Sequence, residues 1–169
     1  MITTKQLSFG YKSGHPVFSG LDLSLPQGSV VGLLGKNGEG KTTLLKNIYG
    51  QLFSKQGEIN VLGFTPRERK VASLQQVYLL PEEIQVPHVT IRRYFDLYAP
   101  FYPNYDEAIA RELIETFSLD WNMNLGKVSQ GQKKKALIAF ALSLRVPLLL
   151  LDEPTNGLDI PSKGEFRRT

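Results

Sequence analysis

The 169-residue sequence predicts an α/β fold in which a mainly helical insert interrupts a strand-bearing core. Three observations carry that expectation. Apolar runs at Ser29–Leu34 (SVVGLL) and Leu148–Leu151 (LLLL) have the continuous hydrophobicity of strands buried on both faces of a parallel sheet. The first run leads into a glycine-rich stretch and then a helical pattern, which is the strand–loop–helix order of a βα unit. From about Val86 to Arg145 the patterning turns helical, and after it the strand pattern returns. The expected organisation is one domain over 1–169, with a core lobe at about 1–85 and 146–169 and the helical insert at about 86–145.

Each element has a local reason. Ile2–Phe9 alternates weakly and reads as a strand. Val17–Leu25 reads as a second, with Leu21, Leu23 and Leu25 on one face. Pro26, Gln27 and Gly28 form a turn into the Ser29–Leu34 strand, and Lys41–Ile48 opens a helix. Gly57–Val61 and Val77–Leu80 are further short strands, the latter stopped by Pro81. Helical spacing then marks Thr90–Tyr98, Tyr105–Phe117 and Gln130–Leu144. In the middle segment Ile109, Leu113, Ile114 and Phe117 share a face, and Asn104 is the expected N-cap. Leu148–Leu151 closes the series.

Composition excludes several classes. With no cysteine, neither a disulfide framework nor a thiolate metal site is available. The longest apolar run, Val146–Leu151, is far short of a membrane span, and the first residues lack a secretory signal, so a cytosolic location is expected. The net charge of +4 is spread along the chain. Lys133–Lys135 is the one basic triplet and reads as a solvated helix face, so no nucleic acid partner is expected.

Residues 35–42 (GKNGEGKT) complete a Gly-x-x-x-x-Gly-Lys-Thr pattern between the expected strand and helix. In a chain this long the pattern arises by chance about once in two hundred. Gly35, Gly38 and Gly40 let the backbone curl around Asn37 so that successive N–H groups point inward, and the helix N-terminus adds unpaired donors and its positive dipole end. Lys41 would reach the β- and γ-phosphates of a nucleoside triphosphate, the Thr42 hydroxyl would hold Mg²⁺, and Thr43 continues the cradle. The leucine run at 148–151 delivers two carboxylates at its end. Asp152 would hold Mg²⁺ through its water shell, and Glu153 would orient and polarise an attacking water.

Val128–Gln132 (VSQGQ) precedes a helix, and about twenty residues later comes LLLLDEPTNGLD. That order resembles the ATP-binding cassette family, whose signature loop is usually Leu-Ser-Gly-Gly-Gln. The resemblance runs from the first strand to the end of the sequence. It implies a phosphate-loop NTPase core with a small antiparallel β subdomain and a mainly helical insert. It also implies an ATPase that uses ATP and Mg²⁺. Tyr11 resembles the aromatic on which adenine stacks, and Ser129, Gly131 and Gln132 match the loop that meets the γ-phosphate held by an opposite subunit. Asp159 matches a position that helps join two halves of a dimer. The implied partners are a transmembrane permease and a second cassette, in a homodimer or with another chain, at the inner face of the membrane.

Three departures stand out. Val128 and Gln130 replace the signature's leucine and first glycine. Glu82 stands where the family has a glutamine that touches water or Mg²⁺. The family's switch histidine lies about thirty residues beyond the acidic pair, whereas His15 and His88 both precede it. The expectation is therefore a cassette cut before its end, with low activity on its own. The segment Phe101–Asp106 (FYPNYD) resembles cassettes of small bacterial exporters. The alternative reading is a soluble, non-transport cassette ATPase of the translation or DNA-repair type.

Overall fold

A computed structural model describes residues 1–12 and 15–156. The chain divides into two compact units, Met1–Leu74 and Gln75–Thr169.

The first unit is built on a three-stranded antiparallel sheet of order β2-β1-β3, from β1 (Ile2–Phe9), β2 (Phe18–Leu25) and β3 (Gln56–Val61). This is the small antiparallel subdomain that the family resemblance implies. Ile2 faces Leu25 on one side and Val61 on the other, and Thr4 lies between Leu23 and Ile59. The register slips near Gln6, whose φ of 47° marks a bulge. The Asp22 carboxylate holds that bulge by accepting both the backbone and the side-chain N–H of Gln6, each at 2.6 Å. Leu7, just past it, is fully buried. Helix α1 (Lys41–Tyr49) buries Leu44 and Ile48 and ends at Gly50. There a left-handed φ of 77° returns the Gly50 N–H to the Asn47 carbonyl. A single 3₁₀ turn at Pro66–Glu68 and the short α2 (Val71–Leu74) complete the unit.

One expected strand is absent. Ser29–Leu34 joins neither sheet, and its side chains face solvent, with Val30 and Leu34 more than nine-tenths exposed. The hydrophobicity of the run is plain, but a strand exists only where a neighbour takes its N–H and C=O groups. Among the described residues no partner does so.

The second unit pairs β4 (Val77–Leu80) and β5 (Leu148–Leu151) in parallel, Val77 against Leu148 through Leu80 against Leu151. Around this pair lie α3 (Ile91–Tyr98), α4 (Glu107–Thr116) and α5 (Gln130–Ser143), matching the three helical patterns to within a residue or two. Phe140 of α5 is 1% exposed. Its ring packs edge-on against Phe95, Tyr94 and Tyr78 at centroid distances of 4.9, 5.3 and 5.8 Å. Leu113, Ile114 and Phe117 join the same core.

Three local expectations are corrected. Asp106, not Asn104, caps α4. It immediately precedes the helix, and its carboxylate accepts from Ala108 and Ile109 N–H at 2.9 and 3.2 Å. Leu148–Leu151 is only partly covered, Leu150 alone being buried, because a two-stranded sheet leaves β5 with one ladder partner. Lys133–Lys135 is not wholly solvated: Lys134 is buried. Its position is three, four and seven residues before Leu137, Ile138 and Ala141, so helical periodicity sets it on their inward face.

Candidate functional site

In the first unit the phosphate-loop pattern forms an exposed turn leading directly into α1. Gly38 and Gly40 have φ of 89° and 92°, values that a side chain strains to adopt. At Gly40 a Cβ would also collide with the side chain of Val17. Gly40 is the N-cap of α1 and brings no side-chain oxygen to the first-turn N–H groups. A helix start without its own cap is suited to an anion. The Lys41 ammonium folds back across the loop, donating to the carbonyls of Gly35 at 2.7 Å and Lys36 at 3.1 Å. Glu39 braces the same turn by accepting the Lys36 N–H at 2.8 Å. Asn37 is exposed, Thr42 is half-buried and Thr43 is buried.

Tyr11 stands beside this helix start. Its hydroxyl shares a 3.2 Å hydrogen bond with Thr43 Oγ1, and its ring meets Phe9 edge-on with centroids 5.1 Å apart. The Tyr11 side chain remains 52% exposed, leaving aromatic surface beside the helix that follows the loop.

In the second unit the acidic residues gather where β4 and β5 end. The Asp152 N–H donates to the Leu80 carbonyl at 2.9 Å, so the ladder carries Asp152 inward, and it is 5% exposed. Glu153 then turns outward, its φ of 46° lying in the left-handed region, and its side chain is exposed. Glu82 comes from the segment after β4, and its carboxylate accepts the Asn156 side-chain amide at 2.6 Å. Beneath them lies Lys134. Burial pushes its pKa down from the ordinary lysine value, while the charges of Glu82, Asp152 and Glu153 oppose that shift.

The signature-like segment begins α5. Ser129 is its N-cap, accepting the Gln132 N–H at 3.2 Å, while the Gln132 side chain accepts the Ser129 N–H at 3.1 Å. This reciprocal capping box shapes the loop without any ligand. Gly131 sits in the first helical turn. Gly157, Leu158 and Asp159 lie outside the described residues.

Thus the structure brings Tyr11, Thr43 and the loop residues together in one unit, and Glu82, Asp152 and Glu153 together in the other. Sequence reasoning missed Lys134 and Asn156. For Lys134 the signal was its helical phase with Leu137 and Ile138. For Asn156 no local pattern points to Glu82, 74 residues away. Among the described residues no group of three His, Cys, Asp or Glu side chains is set to grip a metal. Thr42 in the first unit, and Glu82 and Asp152 in the second, each carry oxygen donors of the hard type that Mg²⁺ takes.

Residues 18–156 match the family described as ABC transporter. The ABC transporter ATP-binding protein YtrB of Bacillus subtilis is 30% identical over 165 residues, which cover 98% of this chain and 56% of that protein. The SkfA peptide export ATP-binding protein SkfE of the same organism is 34% identical over 169 residues, covering 96% of this chain and 70% of its own length. A solved structure described as the ATP binding subunit of an ABC transporter superposes with a TM-score of 0.87 at 28% identity, over 99% of this chain and 72% of that one. The chain thus spans little more than half the length of the first of these relatives.

Proposed function

The chain belongs to the ABC transporter family, and on that premise we propose that it is the ATP-binding and ATP-hydrolysing subunit that powers a membrane transporter. The observation that carries the proposal is the loop at 35–42: glycine turns, an uncapped helix start and the Lys41 ammonium arched over the loop carbonyls. These are the groups that a triphosphate needs.

The roles follow from the chemistry of each group. Loop N–H groups, Lys41 and the donors of Gly35, Asn37, Gly38, Gly40, Thr42 and Thr43 bind the phosphates, and Tyr11 stacks on the base. Thr42, Asp152 and Glu82 would hold Mg²⁺, whose charge neutralises the phosphate oxygens when bound. Glu153 orients a water for in-line attack on the γ-phosphorus, and Lys41 offsets the charge that develops. Ser129, Gly131 and Gln132 serve the ATP held by a second cassette, which makes an ATP-dependent pair the working state.

No helix among the described residues is long and apolar enough to cross a membrane. The proposed transport role pairs this subunit with a transmembrane permease at the inner face of the membrane. The peptide-export name of one relative, together with the FYPNYD segment, supports export. A single cassette domain, with core lobe 1–85 and 146–169 and helical insert 86–145, is part of the same proposal.

Titration with a fluorescent ATP analogue tests it. The intact chain binds Mg²⁺–ATP, and Lys41→Ala abolishes binding; unchanged affinity in that variant overturns the assignment.

A further inference from the structure

Lys134 has no part in the roles above, and its surroundings are unusual for a lysine. It is 6% exposed, in the second turn of α5. A buried ammonium persists only where its donors are used and its charge is balanced. Here Nζ donates to the carbonyl of Glu82 at 3.2 Å and to that of Glu153 at 3.3 Å. These carbonyls belong to two separate segments, one leaving β4 and one leaving β5, just beyond the bond from the Asp152 N–H to the Leu80 carbonyl. One ammonium therefore ties the backbone at the two acidic residues. The Asn156 amide meanwhile holds the Glu82 carboxylate.

We propose that Lys134 is a positioning residue of the hydrolytic site, locking the backbone at Glu82 to that at Glu153 and balancing the extra negative charge that Glu82 brings. Three carboxylates, Glu82, Asp152 and Glu153, lie close enough to act on the Lys134 charge. With a neutral amide at 82 there would be one charge fewer to offset. The same three carboxylates are the groups whose charges resist the downward shift of the lysine. Lys134 is also five residues past Ser129 on one helix, about 7.5 Å along the axis. The lysine thus fastens the acidic segments to the element that presents the signature loop. This inference rests on the reading that Glu153 serves ATP hydrolysis.

The test is a double-variant cycle in the full chain. Lys134→Met keeps the aliphatic length and removes the charge, and Lys134→Arg keeps the charge. Each is made in the wild-type and in the Glu82→Gln background, with Lys133→Met as a surface control. At saturating Mg²⁺–ATP, Lys134→Met lowers kcat by at least about tenfold with KM nearly unchanged, the pattern of a misplaced reacting group. In the Glu82→Gln background the same substitution costs about threefold or less, because the uncompensated charge is gone. Lys134→Arg recovers most of the rate. Urea unfolding gives a second readout that needs no turnover: Lys134→Met lowers the folded-to-unfolded ratio about fivefold more beside Glu82 than in the Glu82→Gln background. A chain that binds ATP without cleaving it would defeat the hydrolytic reading alone, and the unfolding cycle would still decide the role of Lys134. Equal costs in both backgrounds would show that the ammonium does not balance the charge of Glu82, and would overturn the proposal.

Discussion

Ser129 is asked to do two things, and substitution separates them. As the N-cap of α5 it accepts one first-turn N–H and receives the Gln132 side chain on its own N–H, at 3.2 and 3.1 Å. Ser129→Ala removes the hydroxyl and should cost about 1 kcal/mol, the usual worth of such a cap. For a chain of this size that lowers Tm by about 2–4 °C. Ser129→Asp keeps the cap, since aspartate is as good an N-cap as serine and its charge suits the helix dipole, so Tm should change little. Its effect on ATP-dependent pairing is the opposite. A carboxylate placed where a γ-phosphate must approach meets it at about 4 Å, and two like charges at that distance repel by about 4 kcal/mol at an effective dielectric constant near 20. That is about a thousandfold in affinity. Differential scanning calorimetry measures the first effect. Light scattering with Mg²⁺–ATP, in the Glu153→Gln background to limit cleavage, measures the second. If Ser129→Asp pairs as well as its parent, the loop does not receive phosphate. If Ser129→Ala leaves Tm unmoved, the capping box contributes nothing to stability.

Glu153→Gln should bind Mg²⁺–ATP with near-normal affinity, cleave it far more slowly and accumulate the ATP-bound pair; a monomer at high protein concentration with ATP bound would refute the pairing. Phe140→Ala should destabilise the helical unit by about 3–5 kcal/mol, because it empties a fully buried site between three aromatic rings, and urea unfolding will show the shift in midpoint. The Arg111 guanidinium, bonded to Glu107 at 2.6 Å with further help from Arg92, holds the Glu107 carboxyl below its ordinary 4.5. Its contribution to stability is therefore present above pH 4.5 and is lost as pH falls through the lower folded value. A carbon-detected NMR titration should place the Glu107 midpoint below 4.5, and Arg111→Ala should bring it back toward that value.

The loop at 35–42 was legible because its chemistry is contiguous. Glycines that permit positive φ, a lysine and a threonine stand side by side, and the conformation that they adopt is decided within a few residues. The same holds for the three helices of the second unit, whose apolar spacing survives into the Phe95 and Phe140 core. Asp106 was nearly legible. It lies two residues beyond the Asn104 that the pattern suggested, and the actual start of α4 set the cap. Asn156 was not, because its bond to Glu82 exists only once β4 and β5 lie side by side.

The sequence by itself determined most of the alternation of strand and helix, the glycine turn at Gly35–Thr42 that opens α1 and the acidic pair at the end of β5, since each depends on neighbours along the chain. Tertiary structure decided the rest. Ser29–Leu34 has the composition of a core strand yet lies exposed and unpaired with either sheet, because ladder bonds are made by another segment and composition cannot supply one. Lys134 has the composition of a solvated face yet is buried, because the carbonyls of Glu82 and Glu153 converge on its helix and give the ammonium what water would have given. Periodicity reports which way a side chain points; only packing decides what it meets there.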